Sequence, residues 1–303
     1  MRSIAEKGTG SRVSGIINAV LSSSTFGFAP FFSVSLMAAG LSAAEVLTYR
    51  WGTATAALAL FALIMRRPLS VTGKQFGKIF LLSIFRAGTS ASLLVAYSNI
   101  ASGAASVIHF MYPVAVAIGM MLFTKERKSP VVMTAIAISI IGACLLAGGD
   151  SVSIEGGNTA VGIIFAVISV FCYSGYMILM KTTGADKIEP TALTCLVMGL
   201  GALFFFIAAQ FTSGMHLVRD PELWLYILGL GIVATTISNF TLVKAIGQIG
   251  PTLTSVFGAL EPLTAVVMGA VFFSEKLTLR SVTGIILILV TVTIVVMHQK
   301  RQD

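Results

Sequence analysis

Charged side chains lie inside long apolar stretches of this chain, where an ionised group is costly unless it has a partner or water. Arg86 is the clearest case, because Ser90 and Tyr97 follow it at helical spacing and give its segment one polar face. Arg86 could hold a carboxylate through two parallel hydrogen bonds, with Tyr97 as a second substrate contact. It could equally form a structural ion pair with a buried acid, for which Glu261 and Glu45 are the candidates. The sequence leaves both interpretations open.

Two other ionisable residues stand close to prolines inside apolar stretches. Glu261 precedes Pro262, and His109 lies one helical turn before Pro113. A carboxyl in a membrane interior can carry a proton, so Glu261 is a candidate coupling residue, with a purely structural Glu-Pro role as the alternative. The His109 imidazole could bind substrate or relay protons, or it could simply hydrogen-bond to a neighbouring helix. Since proline loosens a helix, Pro113 and Pro262 are candidate gating points.

Two polar stripes are candidate walls of a substrate cavity. Asn18 and Ser22 share one helical face, and Tyr173 and Tyr176 share another. We predict that these stripes face each other, although packing by small residues would account for the hydroxyl groups equally well. Asn239 is a further candidate, with hydrogen bonding between helices as its default role. Aromatic rings, hydroxyls and a few charges suit a small zwitterionic or amphipathic substrate.

Arg50 lies near the beginning of the second apolar stretch, close to Glu45. A guanidinium and a carboxylate so close in sequence can neutralise each other where a helix enters the membrane. We therefore predict a local ion pair at this end of the stretch rather than a contact with substrate.

The composition indicates a membrane protein. Of 303 residues, 56% are hydrophobic and 11% are charged, whereas a soluble domain carries about 25% charged residues. The net charge is +8, but the basic residues are dispersed among short loops and tails, which argues against nucleic acid as a partner. The sequence has no Walker A motif and no His, Cys or Asp spacing typical of a metal site. We expect no cofactor, no metal and no ATP hydrolysis.

Ten apolar runs are each close to the length of about 20 residues that a helix needs to cross a bilayer. They are 13–37, 43–65, 78–98, 101–123, 130–147, 160–180, 191–212, 223–243, 252–273 and 280–297. If the chain alternates across the membrane, most Lys and Arg residues fall on the side of the N-terminus, while Arg219, Lys276 and Arg280 fall on the other side. By the positive-inside rule, both termini are predicted to be cytoplasmic.

The chain carries the same pattern twice. Ile100, Ser106, Pro113, Phe123 and Glu126 recur with the same spacing as Ile249, Ser255, Pro262, Phe272 and Glu275, and Gly15 and Ala19 recur as Gly162 and Ala166. Five spans per copy is an odd number, so the second copy enters the membrane inverted relative to the first. Inverted repeats commonly hold a substrate near the midplane, between the two copies.

The segments that end the two sequence repeats resemble those of the drug/metabolite transporter superfamily, in its EamA-type branch. The resemblance is carried by Tyr112-Pro113 followed by Glu126-Arg127, by Leu260-Glu261-Pro262 followed by Glu275-Lys276, and by Arg50. Lys125 departs from the family, where Gly or Leu is common before the Glu. The resemblance implies that spans one to four and six to nine enclose a central cavity, that spans five and ten brace the halves, and that the halves rock about Pro113 and Pro262.

The sequence as a whole predicts an all-α membrane protein of ten transmembrane helices in two inverted five-helix repeats. A tail (1–12), a first repeat (13–147), a connecting loop (148–159), a second repeat (160–297) and a tail (298–303) follow one another. We expect a multi-pass transporter of the bacterial inner membrane that exports amino acids or related small metabolites by alternating access, with protons as a candidate coupling ion. The alternative is uptake of a scavenged vitamin, nucleotide-linked or methyl-donor compound. An intramembrane enzyme is a distant alternative, because the polar residues are dispersed, and we expect no enzymatic activity.

Overall fold

A computed structural model describes residues 2–124, 129–147, 154–212, 214–272 and 279–300. Within these ranges the secondary structure is helical, and they contain no β-strand. The signature ends of the two repeats, Glu126-Arg127 and Glu275-Lys276, lie outside the described residues. So do Lys125, residues 148–153 of the connecting loop and residues 301–303 of the C-terminal tail.

The helices follow the predicted apolar runs, and α1 also takes in most of the predicted N-terminal tail. The first repeat contains α1 (Arg2–Phe26), α2 (Ala29–Ala38), α3 (Ala43–Ile64), α4 (Gly73–Tyr97), α5 (Ser102–His109), α6 (Tyr112–Thr124) and α7 (Pro130–Ala147). The second contains α8 (Thr159–Thr182), a 3₁₀ turn (Ala185–Lys187), α9 (Pro190–Phe211), α10 (Pro221–Leu228), a π-helical stretch (Gly229–Ile237), α11 (Ser238–Ile249), α12 (Pro251–Phe257), α13 (Leu260–Phe272) and α14 (Leu279–Lys300). Capping boxes begin α3 and α4, formed by Ser42 with Glu45 and by Thr72 with Gln75.

Seven helical segments are long and apolar enough to cross a membrane. They are Ser11–Ala38, Ala43–Ile64, Gly73–Tyr97, Ser102–Thr124, Thr159–Thr182, Pro190–Phe211 and Pro221–Ile249. Two shorter apolar helices, Pro130–Leu145 and Val282–Ile294, fall on the predicted fifth and tenth spans. The predicted ninth span falls on α12 and α13. The chain is thus a multi-pass membrane protein, and the count of ten spans and the side of the termini stay predictions.

The fourth and ninth predicted spans are each broken at the same point of the repeat. Phe110 and Met111 separate α5 from α6, and Gly258 and Ala259 separate α12 from α13. Each break lies just before a proline in the first turn of the next helix, Pro113 in α6 and Pro262 in α13. Because proline cannot donate the backbone hydrogen bond that would continue a helix, its position accounts for both breaks. Broken helices near the centre are typical of transporters built from inverted repeats.

Helices of one repeat pack chiefly on helices of the other. The main pairs are α1 with α11, α4 with α8, α3 with α9 and α7 with α14, while α6 packs on both α8 and α12. Counted as predicted spans, the first packs on the eighth and the third on the sixth, whereas α3 with α9, α7 with α14 and α6 with α12 join equivalent spans. An approximate two-fold axis that exchanges the repeats produces this pattern.

The residues that repeat in the sequence also meet in space. A Cβ on Gly15 would lie 2.5 Å from Cγ2 of Ile249, and a Cβ on Gly162 would lie 2.5 Å from Cγ2 of Ile100. Gly15 and Gly162 are counterparts, and so are Ile249 and Ile100, so each contact is the copy of the other. Glycine at both places lets the helix backbones approach closely.

The predicted juxtaposition of the first and sixth spans is wrong. The stripe of Asn18 and Ser22 was expected to face that of Tyr173 and Tyr176, but α1 packs on α11 and α8 packs on α4. The two-fold axis exchanges α1 with α8 without bringing their length into contact. Phe26, the last residue of α1, does reach α8, where its ring stacks on Tyr173 at 6.4 Å between centroids.

Candidate substrate site

Four aromatic rings meet at the centre of the helix bundle. Tyr173 of α8 is the middle ring: it stacks on Phe26 at 6.4 Å, lies parallel to Tyr176 at 6.5 Å, and meets Tyr112 of α6 edge-on at 4.6 Å. All four side chains are buried. Tyr173 and Tyr176 both point to this centre because they lie three residues apart on one face of α8. The structure thus brings together the two tyrosines of the predicted stripe.

Arg86 of α4 lies over three of these rings. Its Cζ is 5.2 Å from the centroid of Phe26, 5.1 Å from that of Tyr173 and 5.9 Å from that of Tyr176. Its Nε donates a 2.7 Å hydrogen bond to Oδ1 of Asn239 on α11. Nη1 of Arg86 is buried and has no hydrogen-bond partner among the described residues. The side chain is therefore held by neutral and aromatic groups, and not by Glu261 or Glu45, the two acids considered as partners.

Glu261 and Tyr112 meet at the axis between the repeats. The hydroxyl of Tyr112 donates a 3.2 Å hydrogen bond to Oε1 of Glu261, and the two residues are 149 positions apart. That separation is the spacing of the repeat, so Tyr112 and Glu261 are counterparts in contact with each other. A Cβ on Gly258 would lie 1.7 Å from the same hydroxyl. Glycine at this position is therefore required by the place that the tyrosine occupies.

His109 of α5 borders the same rings. Its Nδ1 lies 2.9 Å from Oγ of Ser169 on α8, and its ring centroid is 5.3 Å from both Tyr112 and Tyr173. Nε2 is buried and has no hydrogen-bond partner among the described residues. A structural hydrogen bond to a neighbouring helix, the alternative role considered for His109, therefore accounts for Nδ1 and not for Nε2.

Arg50 belongs to this cluster as well, which corrects the predicted ion pair with Glu45. Its Nε donates a 2.7 Å hydrogen bond to Oγ1 of Thr235, and its Cζ lies 5.6 Å from the centroid of Phe26. Glu45 is occupied elsewhere, because Oε1 accepts from the backbone N–H of His216 and lies 2.9 Å from Nδ1 of that histidine. The carboxylate of Glu45 is bonded at the beginning of α3 as the capping-box partner of Ser42, while Arg50 lies against the ring of Phe26.

The remaining predicted site residues make their hydrogen bonds at contacts between helices, and one of them, Tyr97, lies close enough to Arg50 and Glu261 to interact with them electrostatically. Nδ2 of Asn18 donates to Oε1 of Gln248 at 2.9 Å, and Oγ of Ser22 donates to the carbonyl of Ser238 at 2.8 Å. Both contacts join α1 to α11. The Tyr97 hydroxyl lies 3.4 Å from Oγ of Ser106 and joins α4 to α5. The structure brings Arg86, His109, Tyr173, Tyr176, Asn239 and Glu261 together, and leaves these three outside the ring contacts.

Sequence reasoning missed Phe26 as a member of the site. The residue is one of 20 phenylalanines in the chain, so its type carries no signal, and its place at the end of α1 becomes informative only when the helix pairing is known. Arg50 carried a signal, since a buried charge demands an explanation. Proximity in sequence to Glu45 gave it the wrong partner.

Among the described residues, no group of three His, Cys, Asp or Glu side chains could hold a metal ion. The buried groups of the centre are two guanidiniums, one carboxyl, one imidazole and aromatic rings, which recognise organic ions by hydrogen bonds and cation–π contacts. Two copies of a helical unit around such a centre define a multi-pass membrane transporter.

The chain belongs to the EamA-like transporter family, whose sequence profile matches residues 13–148 and 160–297. Each match covers one of the two repeats. The resemblance to the EamA-type branch of the drug/metabolite transporter superfamily is thereby confirmed.

Similar proteins are also transporters where their names describe a function. A WAT1-related protein of Arabidopsis thaliana is 23% identical over 92% of this chain and 84% of its own length. An uncharacterized transporter of Archaeoglobus fulgidus is 27% identical over 70% of this chain and 74% of its own. An uncharacterized inner membrane transporter, YicL, of Salmonella typhimurium is 24% identical over 69% and 68%. A solved crystal structure shares the fold, with a TM-score of 0.76 at 15% identity over 97% of this chain and 99% of that one.

Proposed function

We propose that this protein exports amino acids or related small metabolites by alternating access, from a site between its inverted repeats. The observation that carries the proposal is the central cluster: the Arg86 guanidinium over three rings, with the Glu261 carboxyl bonded to Tyr112 beside them. A guanidinium and a carboxyl that border the same aromatic cluster suit a molecule that carries an acidic group together with an apolar or cationic part.

Alternating access would take the form of rocking of one repeat against the other about α6 and α13. The support is the pair of helix breaks before Pro113 and Pro262, together with the direct Tyr112–Glu261 contact between the repeats. In such rocking a contact at the pivot moves least, so the Tyr112–Glu261 hydrogen bond is placed to hold the two repeats together through the cycle. A buried carboxyl between the two repeats is well placed to take up or release a proton, so Glu261 remains the proposed coupling residue.

The proposed topology has ten spans, both termini in the cytoplasm and the bacterial inner membrane as the location. Its support is the dispersal of Lys and Arg over alternate loops and the match of the family to both repeats. Cysteine accessibility tests it: a cysteine at Arg67, in the loop between α3 and α4, should react with an impermeant maleimide only after the cells are opened. A cysteine at Arg219, in the loop between α9 and α10, should react in intact cells.

Counterflow in proteoliposomes tests the transport proposal. Vesicles that hold the purified protein and a mixture of unlabelled amino acids should exchange labelled amino acids faster than protein-free vesicles, and Arg86→Gln should abolish the difference. Equal rates with and without the protein would refute the amino-acid proposal.

In the same vesicles, Glu261→Gln should remove any stimulation by a pH gradient while leaving exchange intact. An unchanged response to the gradient would end the coupling role of Glu261.

A further inference from the structure

Two buried guanidiniums, from neighbouring helices, converge on a single ring. Arg50 of α3 and Arg86 of α4 have their Cζ atoms 5.6 Å and 5.2 Å from the centroid of Phe26. Arg50 is 5% exposed and Arg86 is 1% exposed. Like charges repel strongly away from water. Their convergence therefore demands a compensating group.

Each guanidinium is anchored through Nε alone, and the anchors are neutral. Nε of Arg50 donates to Oγ1 of Thr235, and Nε of Arg86 donates to Oδ1 of Asn239, each at 2.7 Å. The anchors are joined to each other, because Nδ2 of Asn239 donates to the carbonyl of Thr235 at 2.8 Å. Anchoring at Nε fixes the direction of the planar fork and leaves its far end to bind something else. Nη2 of Arg50 and Nη1 of Arg86 are buried and lack an acceptor among the described residues.

No acid of the described interior forms an ion pair with either cation, and even an ionised Glu261 could offset only one of the two charges. The buried carboxyls are those of Glu45 and Glu261. Glu45 is held by Ser42 and His216, and Glu261 by Tyr112. The salt bridges of the described residues join Lys181 to Asp186 and His216 to Glu45, so neither involves an arginine of the centre. A buried, unpaired charge lowers the stability of the folded protein by roughly several kcal/mol. Cation–π contacts with Phe26 and the tyrosines offset only part of that loss.

We propose that the ligand of this site is a small organic acid with a net negative charge, whose acidic group is held by the free ends of Arg50 and Arg86. The proposal rests on the proposed transport function and narrows its substrate class. With Glu261 ionised, the centre carries one surplus positive charge, and with Glu261 protonated it carries two. A net-neutral zwitterion leaves that surplus in place, whereas an acid with net negative charge removes it. Tyr173 and Tyr176 then border the apolar part of the molecule, and Nε2 of His109 is free to bond a second polar group.

Binding to the purified, detergent-solubilised protein tests this inference without any transport measurement. The probes are L-glutamate and L-glutamine, which match in shape and differ in net charge, together with succinate and glycerol 3-phosphate, which distinguish a carboxylate from a phosphate. Each anionic ligand that binds should raise the thermal unfolding midpoint. We expect glutamate and at least one of the other two acids to raise it at concentrations where glutamine has no effect. Glutamine acting as strongly as glutamate, or no acid acting at all, overturns the inference.

Three variants assign the binding to the two arginines. Arg50→Gln and Arg86→Gln should each weaken acid binding by roughly 10- to 100-fold, the value of a hydrogen bond to a charged group. Arg67→Gln, at an exposed arginine beyond the end of α3, is the matched control and should leave the affinity unchanged. Equal affinity in Arg50→Gln and the wild type would remove Arg50 from the site and overturn the two-arginine assignment.

A third measurement separates a ligand-binding role from a structural one. Arg50→Met keeps the length of the side chain and removes its charge, while Thr235 keeps its own hydrogen bond to the carbonyl of Leu230. Without ligand, we expect this variant to be at least as stable as the wild type, because an unpaired buried cation has been removed. A lower midpoint without ligand would mean that Arg50 is a structural group and would overturn its assignment. Acid binding without transport of any solute would refute the transporter proposal and leave this inference standing.

Discussion

The contact of Gly15 with Ile249 and the contact of Gly162 with Ile100 are copies of each other, with the same 2.5 Å approach in both repeats. At the axis between the repeats the copies differ. Tyr112 faces its own counterpart Glu261, and a phenol and a carboxyl hydrogen-bond there. These two glycine–isoleucine contacts fit by shape, which evolution can leave identical. At the centre, identical residues would have given two acids or two phenols in contact, so chemistry there required the copies to diverge.

A substitution at Gly258 should have the largest effect on the contact at the axis. Gly258 is the counterpart of His109, and its missing side chain makes room for Tyr112. A Cβ there would lie 1.7 Å from the tyrosine hydroxyl and 2.9 Å from the carbonyl oxygen of Ser255. Gly258→Ala should cost about 3 kcal/mol of stability, at the upper end of overpacking effects. The measurement is the free energy of unfolding in detergent. In a Tyr112→Leu background, which removes both the hydroxyl oxygen and the Cζ that would lie 2.7 Å from the new Cβ, the cost should fall by at least half, and an undiminished cost would place the clash elsewhere.

The hydrogen bond at the axis gives the second effect. Tyr112→Phe deprives the buried Glu261 carboxyl of its donor, which should cost about 1.5 kcal/mol. Tyr173→Phe is the matched control, because it also removes one phenolic oxygen beside the same rings, and that oxygen makes no hydrogen bond among the described residues. We expect a change near zero for the control. Equal losses in both variants would mean that the Tyr112–Glu261 contact adds nothing beyond the packing of its rings.

Gly15 and Gly162 give a smaller effect and test the symmetry directly. An alanine at either position would press on an isoleucine Cγ2 at 2.5 Å. Each glycine lies inside a helix, where alanine has the higher helix propensity. That gain of up to about 1 kcal/mol offsets part of the free energy lost through overpacking. We expect a net loss of about 1 kcal/mol in each variant. The symmetry predicts losses that agree with each other, and a strong effect in only one repeat would show that the two outer contacts are not equivalent.

The periodicity of the sequence predicted the helices and the repeat, but it did not predict which helices pack against each other. The apolar runs, the repeat and the family were all present in the sequence, and Arg86, Tyr173, Tyr176 and His109 stood out because polar groups in apolar helices need partners. Which helix faces which is decided by close packing at small residues such as Gly15 and Gly162. That information has no period, so the stripe of Asn18 and Ser22 was expected to face α8, whereas both side chains bond to α11. Phe26 was missed for the same reason.

The Asn18 side chain shows how far the outer contacts and the centre can be separated. Its Nδ2 donates to Gln248 at 2.9 Å across the α1–α11 contact. Its other described hydrogen bond is to Ser14 on its own helix, so neither bond joins it to the ring cluster. Hydrogen bonds between helices in membrane proteins are worth about 0.6 kcal/mol on average, so Asn18→Ala should lower the free energy of unfolding by about that much. Exchange in proteoliposomes should stay at the wild-type rate, whereas Asn239→Ala, which removes the anchor of Arg86, should slow it at least tenfold, roughly the value of one hydrogen bond to a charged group. Equal loss of exchange in the two variants would mean that the substrate also touches the outer contact, and would support the predicted place of Asn18 on the cavity wall.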